Sequence, residues 1–399
     1  MTQPGAKTPF VAIACGGTGG HLFPGLAVAE ELKKRGCQTA LLVSPKAVDQ
    51  QAAQSAFGLD VITLPAVALQ NHNYLSFARS FWQSWRTARK VFKSHPPHAV
   101  LAMGGFTSAP PVLAAKKSGA RTFLHESNTI PGRANRFLAR FVDEAFVGFP
   151  GAAARLKTRK VTTTGTPVRP QFQPRDPGPC RATLGLDPHR LTILVMGGSQ
   201  GASGVNEIIL ATLPLLVDRN FIWQWLHLTG VAHFEKVKAA YATRGDKAMV
   251  KPFLAEMNQG LGAATVAVSR AGASSLAEIA AMRLPSLLIP FPAAADNHQF
   301  HNARAFEATG AARLLEQKNA TPEKVATILR ELAENETLRA VMQAALVQWH
   351  APKAAEQIAE NILKACWSSS RSVPDERRRE PQRQQPHSSE LKQEHVCAA

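Results

Sequence analysis

The chain has no run of about 18 uninterrupted apolar residues, so nothing in it reads as a membrane-spanning helix. Met1–Lys7 carries no apolar core of the kind a secretory signal needs, which predicts a protein kept inside the cell. Cysteine is sparse and unpatterned. Cys15, Cys37, Cys180, Cys366 and Cys397 are odd in number, and no pair has zinc-ligand or redox-motif spacing. A reducing compartment is the simplest reading. Acidic residues are also in deficit: 29 Asp and Glu against 46 Lys and Arg leave a formal net charge of +17. Such a field suits polyanionic partners, whether nucleic acid, anionic lipid or phosphorylated substrates, and composition does not choose among them.

What is there is ordinary for a globular enzyme: 45% hydrophobic and 19% charged residues over 399 positions, long enough for two or three domains. Short β-rich runs alternate with helical stretches, the pattern of parallel α/β sheets. In the first half the strands are predicted at Phe10–Cys15, Thr39–Val43, Ala99–Met103, Arg121–His125, Glu144–Gly148 and Lys160–Thr164. In the second they are predicted at Leu191–Met196, Phe221–Leu228, Thr265–Ser269 and Ser286–Pro290. Proline-rich Gln171–Pro188 reads as a linker, with a domain boundary near Arg169. The predicted architecture is two Rossmann-like, doubly wound parallel-sheet domains, 8–168 and 169–345, facing each other across a cleft. A C-terminal segment, 346–367, holds an amphipathic helix after Pro352, expected to pack back on the first domain. The remainder, 368–399, has too few large apolar residues to offset chain entropy and is read as a disordered tail.

The two halves echo each other. Phe10–Cys15 runs into Gly16-Gly17-Thr18-Gly19-Gly20-His21 and a helix; Leu191–Met196 runs into Gly197-Gly198-Ser199-Gln200-Gly201-Ala202 and a helix. Glycines let the backbone approach a ligand, and the following helix points free N–H groups at it, so phosphate or diphosphate is the natural guest. Neither loop is followed by Gly-Lys-Ser/Thr, which excludes a P-loop. No acid follows the second strand to hold a dinucleotide ribose; Ser44-Pro45-Lys46 stands there. His21 lies where the first loop meets its helix. The dipole there disfavours the imidazolium and keeps the ring able to accept a proton. Gly104-Gly105 reads as a tight strand-to-helix turn.

These loops sit among further motifs: Leu22-Phe23-Pro24-Gly25-Leu26-Ala27 after His21, Gly104-Gly105-Phe106-Thr107-Ser108, His125-Glu126-Ser127-Asn128, Ser269-Arg270-Ala271-Gly272-Ala273-Ser274, and Pro290-Phe291-Pro292 before Asp296-Asn297-His298-Gln299. Together, from about residue 9 to 366, they resemble the cell-wall N-acetylglucosaminyltransferase family known as MurG. The resemblance implies the GT-B fold and an inverting transfer of N-acetylglucosamine from UDP-N-acetylglucosamine. The implied acceptor is the 4-hydroxyl of undecaprenyl-diphosphate-linked N-acetylmuramyl-pentapeptide, at the cytoplasmic face of the inner membrane, with no cofactor, no metal and no nucleic acid.

It further implies residue roles. Thr18, Gly19 and Gly20 belong to the substrate site and face the acceptor's diphosphate, with His21 as general base. Asn128 orients a sugar, Arg169 and Ser199 meet the UDP diphosphate, and Leu254 meets the uracil through its backbone. Ala273, Ser274, Ser275, Leu276, Ala277 and Glu278 line the nucleotide, Glu278 gripping the ribose hydroxyls, and Gln299 reads the N-acetylglucosamine hydroxyls. A carboxylate can accept two hydroxyl donors and a guanidinium matches phosphate, so the chemistry fits. The family usually has Gln where Ser127 stands. Rival readings are another lipid-acceptor transferase such as a diacylglycerol glycosyltransferase, a UDP-sugar epimerase of similar fold, and a non-catalytic UDP-sugar-binding protein.

Tyr74–Lys93 is the other informative stretch. Tyr74, Ala78, Phe81, Trp82 and Trp85 share one helical stripe, with Phe77 nearby and Arg79, Arg86, Lys90 and Lys93 along its flank. Phe77, Phe81, Trp82, Trp85, Arg79 and Arg86 are the expected contacts with an anionic membrane surface. A core helix with a basic edge is the alternative.

Overall fold

The structure, a computed structural model, describes residues 8–17, 19–46, 49–50, 58–65, 74–198, 200–219 and 222–370. Most of the expected tail thus falls outside the described residues. Two all-parallel sheets account for the fold. The first has the order β3-β2-β1-β4-β5-β6-β7, with β1 Phe10–Ala14, β2 Gln38–Val43, β3 Asp60–Thr63, β4 Ala99–Ala102, β5 Arg121–Glu126, β6 Glu144–Val147 and β7 Val161–Thr163. The second has the order β10-β9-β8-β11-β12-β13, with β8 Leu191–Met196, β9 Trp223–Leu228, β10 Ala248–Lys251, β11 Val266–Ser269, β12 Ser286–Leu288 and β13 Arg313–Leu314.

Central strands carry helices on both faces, so they are continuous apolar runs rather than alternating ones. In β1, Val11 and Ile13 face one core while Ala12 and Ala14 face another; β8 divides Leu194 and Met196 from Ile193 and Val195 in the same way. The strand order turns back between β1 and β4, and again between β8 and β11. Each glycine loop leaves its sheet at such a reversal, where open α/β sheets bind ligands beyond the strand ends.

Three strands were not legible in the sequence: β3, β10 and β13. All three are sheet edges. Asp60, Val61 and Thr63 are exposed, β10 is covered only in part, and β13 is two residues long. An edge strand covered on one side needs no long apolar run, and the longest here is Ala248–Val250.

The proline-rich segment departs from the expected linker. Pro177–Thr183 forms a short helix capped by Asp176, whose side chain accepts from the Gly178 N–H at 3.0 Å. Phe172, Cys180, Leu184 and Leu186 enter the second domain's core. Arg181, nearly buried, donates to the Ala263 carbonyl (2.9 Å), the Pro188 carbonyl (2.9 Å) and the Thr265 hydroxyl (3.0 Å). Prolines there start a helix and shape turns, so the segment packs instead of spanning.

Helix Ala354–Ser370 packs against helix Gly19–Lys34. Its Ile358, Ala359, Ile362, Leu363 and Cys366 lie in the same core as Val11, Ile13 and Leu41. Arg35 adds ion pairs to Glu356 (3.3 Å) and Glu360 (3.6 Å). The chain therefore crosses between the sheets twice. The crossings touch: a Cβ at Gly165 (φ +80°) would lie 2.2 Å from that of Ala351.

Candidate active site

The first glycine loop is pinned from beneath by a residue that sequence reasoning missed. Asp49, fully buried, accepts from the Gly17 N–H (2.6 Å), the Ser44 N–H (3.3 Å) and the Ser44 hydroxyl. Gly16 has no room for a side chain, since a Cβ would sit 2.4 Å from the Ser44 nitrogen. Gly19 and Gly20 begin helix Gly19–Lys34, which carries His21 one residue later. Thr18 lies outside the described residues.

Gly104 and Gly105 do more than turn the chain. At φ +107° and +77°, they bring bare backbone against the His21 imidazole, where a Cβ would lie 3.0 Å from Nε2 or 3.1 Å from Nδ1. Any side chain at either position would displace the ring. Burial pushes the His21 pKa down to about 4; Asp49 pulls it up, and His298 from the second domain pushes it down again. The ring is neutral at physiological pH. His125, fully buried, is likewise lowered to about 4, chiefly by burial, although its Nε2 lies 3.0 Å from the Gly165 carbonyl oxygen.

Across the cleft, helix Ala273–Met282 starts after Gly272 and touches the His21 helix. Its first turn and a half holds Ala273, Leu276 and Ala277, which are buried, and Ser274, Ser275 and Glu278, which are partly open. Burial raises the Glu278 pKa to about 7, with Arg169 opposing the rise. The Arg169 guanidinium lies over Phe23 at 4.8 Å and Phe172 at 5.2 Å, and its buried Nε has no hydrogen-bond partner among the described residues. A cation held by aromatic faces, with donors not taken up by protein, is suited to an anion.

The second glycine loop rests on the turn after β9. A Cβ at Gly201 (φ +75°) would fall 2.2 Å from the Thr229 carbonyl oxygen. Ser199 lies outside the described residues. Gln299 turns its Oε1 toward its own domain, accepting from the N–H groups of Ala271 (3.2 Å) and Phe291 (3.0 Å). The Leu254 side chain is buried in the second domain's core. Arg270 is occupied structurally, donating to the carbonyls of Ile289 (3.0 Å) and Pro290 (2.9 Å) and to Gln317 (2.7 Å).

Asn128 belongs to a larger network than the sequence indicated. Buried Glu126 accepts from its N–H (2.8 Å) and Nδ2 (3.0 Å), and also from the Gly132 N–H (2.9 Å) and Asn135 Nδ2 (2.9 Å). On its other side Asn128 Oδ1 accepts from Asn302 Nδ2 at 3.0 Å, across the cleft. Arg136 and Asp296 add an interdomain ion pair at 2.5 Å.

Residues 11–147 match the glycosyltransferase family 28 N-terminal domain and residues 192–361 its C-terminal domain. A UDP-N-acetylglucosamine--N-acetylmuramyl-(pentapeptide) pyrophosphoryl-undecaprenol N-acetylglucosamine transferase of Anaeromyxobacter sp. (strain K) is 35% identical over 368 residues, spanning 90% of this chain and 94% of that protein. The enzyme of the same description from Acidithiobacillus ferrooxidans is 38% identical over 334 residues, 82% of this chain and 90% of its own. The chain belongs to the MurG family. The crystal structure of Acinetobacter baumannii MurG superposes with a TM-score of 0.70 at 25% identity, covering 90% of this chain and all of that one. A UDP-N-acetylglucosamine 2-epimerase from Listeria monocytogenes reaches the same TM-score at 15% identity, a likeness of fold alone. Within this MurG-family cleft the sequence missed Asp49, Glu126 and Asn302. Glu126 and Asn128 stand in one quoted motif, but Asn302, the partner of Asn128 in the other domain, is 174 residues away.

The aromatic helix, Tyr74–Ser94, differs from the expected stripe. Its buried line is Ser80, Ser84, Ala88 and Phe92 at four-residue steps, the first three small enough to allow close approach to helix Ala109–Lys117. Phe81 and Trp85 pack partly into the first domain's core. Trp85 also lies near Arg89 (5.2 Å) and Lys117 (5.9 Å), so neither ring is a free surface anchor. Tyr74 (63%), Leu75 (86%) and Trp82 (53%) are exposed, with Arg86 over the Trp82 ring at 4.5 Å.

Proposed function

We infer that this protein transfers N-acetylglucosamine from UDP-N-acetylglucosamine to undecaprenyl-diphosphate-linked N-acetylmuramyl-pentapeptide in peptidoglycan synthesis. What supports this assignment of roles is that each glycine loop leaves its sheet at a switch point, and that the helix carrying neutral His21 touches helix Ala273–Met282, where Glu278 feels the charge of Arg169. The donor belongs against helix Ala273–Met282. Arg169 and the helix N-terminal amides stabilise the departing diphosphate, Glu278 takes the ribose hydroxyls, and Gln299 and Asn128 meet the sugars. The acceptor's diphosphate belongs on Gly19 and Gly20, and His21 removes its 4-hydroxyl proton as that oxygen attacks the anomeric carbon opposite UDP. A single displacement inverts the configuration.

The deciding experiment offers labelled donor with the lipid-linked muramyl-peptide. Transfer onto that acceptor is expected. Label on diacylglycerol instead would indicate the rival transferase, donor consumption without acceptor an epimerase, and UDP binding without either a binding protein.

No described helix is long and apolar enough to cross a membrane. We propose that the enzyme rests on the anionic inner leaflet through Tyr74, Leu75, Phe77 and Trp82, flanked by exposed Arg79 and Arg86. Trp82→Ala with Arg86→Glu is expected to weaken binding to phosphatidylglycerol vesicles about tenfold or more. Activity on a short-chain soluble acceptor should stay unchanged. Equal sedimentation of the variant and the parent would refute this surface.

A further inference from the structure

Asn302 is fully buried, yet it lies between the two domains and not inside either core. It stands in helix His298–Ala308, one turn beyond Gln299. All four of its side-chain hydrogen-bonding positions are used. Nδ2 donates to Asn128 Oδ1 at 3.0 Å and to the Ala271 carbonyl at 3.1 Å. Oδ1 accepts from the Thr129 N–H and the Thr129 hydroxyl, both at 2.9 Å. Three of these contacts reach the first domain and one returns to the second.

The partners make the arrangement directional. Glu126 holds Asn128 Nδ2, which fixes that amide so that Oδ1 faces Asn302. Asn135, bound to the same carboxylate, also lies beside Gly104, the glycine that beds the His21 ring. On the far side, Ala271 donates its N–H to Gln299 Oε1. A continuous polar chain thus runs from the wall that holds the base to the loop assigned to the donor sugar. Buried networks of this kind are rigid when every member is satisfied and costly when one is removed.

We propose that Asn302 is a positioning residue that couples the two substrate sites, so that ordering the Ala271–Gln299 loop around donor also fixes Asn128 and the His21 wall for acceptor. Its two arrangements are the interdomain contacts made and the interdomain contacts open. Coupling is reciprocal, so each substrate tightens the other by the same factor.

This rests on the transfer reaction inferred above, and the wild-type protein is the control that separates the two. UDP together with a short-lipid muramyl-peptide acceptor forms a complex that cannot react, so UDP affinity can be measured with and without acceptor. In the wild type, acceptor is expected to tighten UDP about tenfold. In Asn302→Ala that ratio falls to about one, UDP affinity without acceptor stays within about twofold, and turnover drops roughly 10²-fold, the scale of a misplaced reactant. Asn302→Asp keeps the shape but sets a carboxylate oxygen against Asn128 Oδ1 and the Ala271 carbonyl, so it is expected to be no better. Thr129→Val removes one contact from the opposite domain and leaves Asn302 in place; it should lower the ratio part of the way. The proposal is overturned if Asn302→Ala keeps the wild-type ratio, if an active wild type shows no ratio, or, should that variant not fold, if Thr129→Val leaves the ratio unchanged. A wild type that transfers nothing to this acceptor would instead refute the assigned reaction.

Discussion

Replacing His21 with alanine is expected to lower turnover by about 10²–10⁴-fold, the range for losing a positioned general base, while UDP affinity changes little. The expectation follows from where the ring sits. Gly104 and Gly105 hold its two nitrogens against bare backbone, and burial drives its pKa to about 4. The neutral ring can accept a proton over the whole physiological range. Asp49 favours the imidazolium that forms on transfer, so the base gains charge beside a buried carboxylate. The acid limb of kcat/KM assigned to this group should lie near its pKa of about 4, well below that of an exposed histidine. Turnover in His21→Ala within a few-fold of the wild type would remove this residue from the mechanism. Gly105→Ala offers a second route to the same loss, because its Cβ would meet the ring.

The second large effect is expected at Glu278. Changing it to glutamine should raise the donor KM by roughly 10–100-fold, the scale of a hydrogen bond to a charged group. Turnover at saturating donor should fall less. The carboxyl is raised from 4.5 to about 7, mainly by burial, with Arg169 acting against the shift. The ionised form, which can accept both ribose hydroxyls, therefore predominates only above about pH 7. Donor affinity in the wild type should strengthen as pH rises through that value, and the dependence should vanish in Glu278→Gln.

Stability should move the other way. A carboxyl with a raised pKa holds its proton more tightly in the folded state. The cost of ionising it grows from about pH 4.5 to 7 and is fully present above that window. Glu278→Gln is expected to be more stable than the wild type at pH 8, by up to about 3 kcal/mol, and equal to it near pH 4. Thermal melts at the two pH values test this directly. An unchanged donor KM, or a variant less stable at pH 8, would contradict the assignment.

Much of this architecture was legible because central parallel strands are buried on both faces. Runs such as Leu191–Met196 leave little else for the chain to be. The missed strands, β3, β10 and β13, are edges whose residues face water in part and carry no such run. The glycine loops were legible for a backbone reason: positive φ and absent Cβ space are written as glycine. Asn302 and Asp49 were not, because a buried polar residue is defined by partners that the fold brings to it from distant segments. Asn302 meets Thr129 from 173 residues away. Gln171–Pro188 was misread because its prolines suggested an open linker, whereas the four apolar side chains it places in the core decide its packing.

The final helix has a consequence for how the molecule comes into being. Ile358, Ile362 and Leu363 complete the core that Val11, Ile13 and the helix residues Leu22 and Leu26 begin, so the first sheet emerges from the ribosome with one face only partly covered. The cover is finished only when nearly the whole chain has been made. A truncation before Ala354 would strand the earliest-made part of the protein, not the latest.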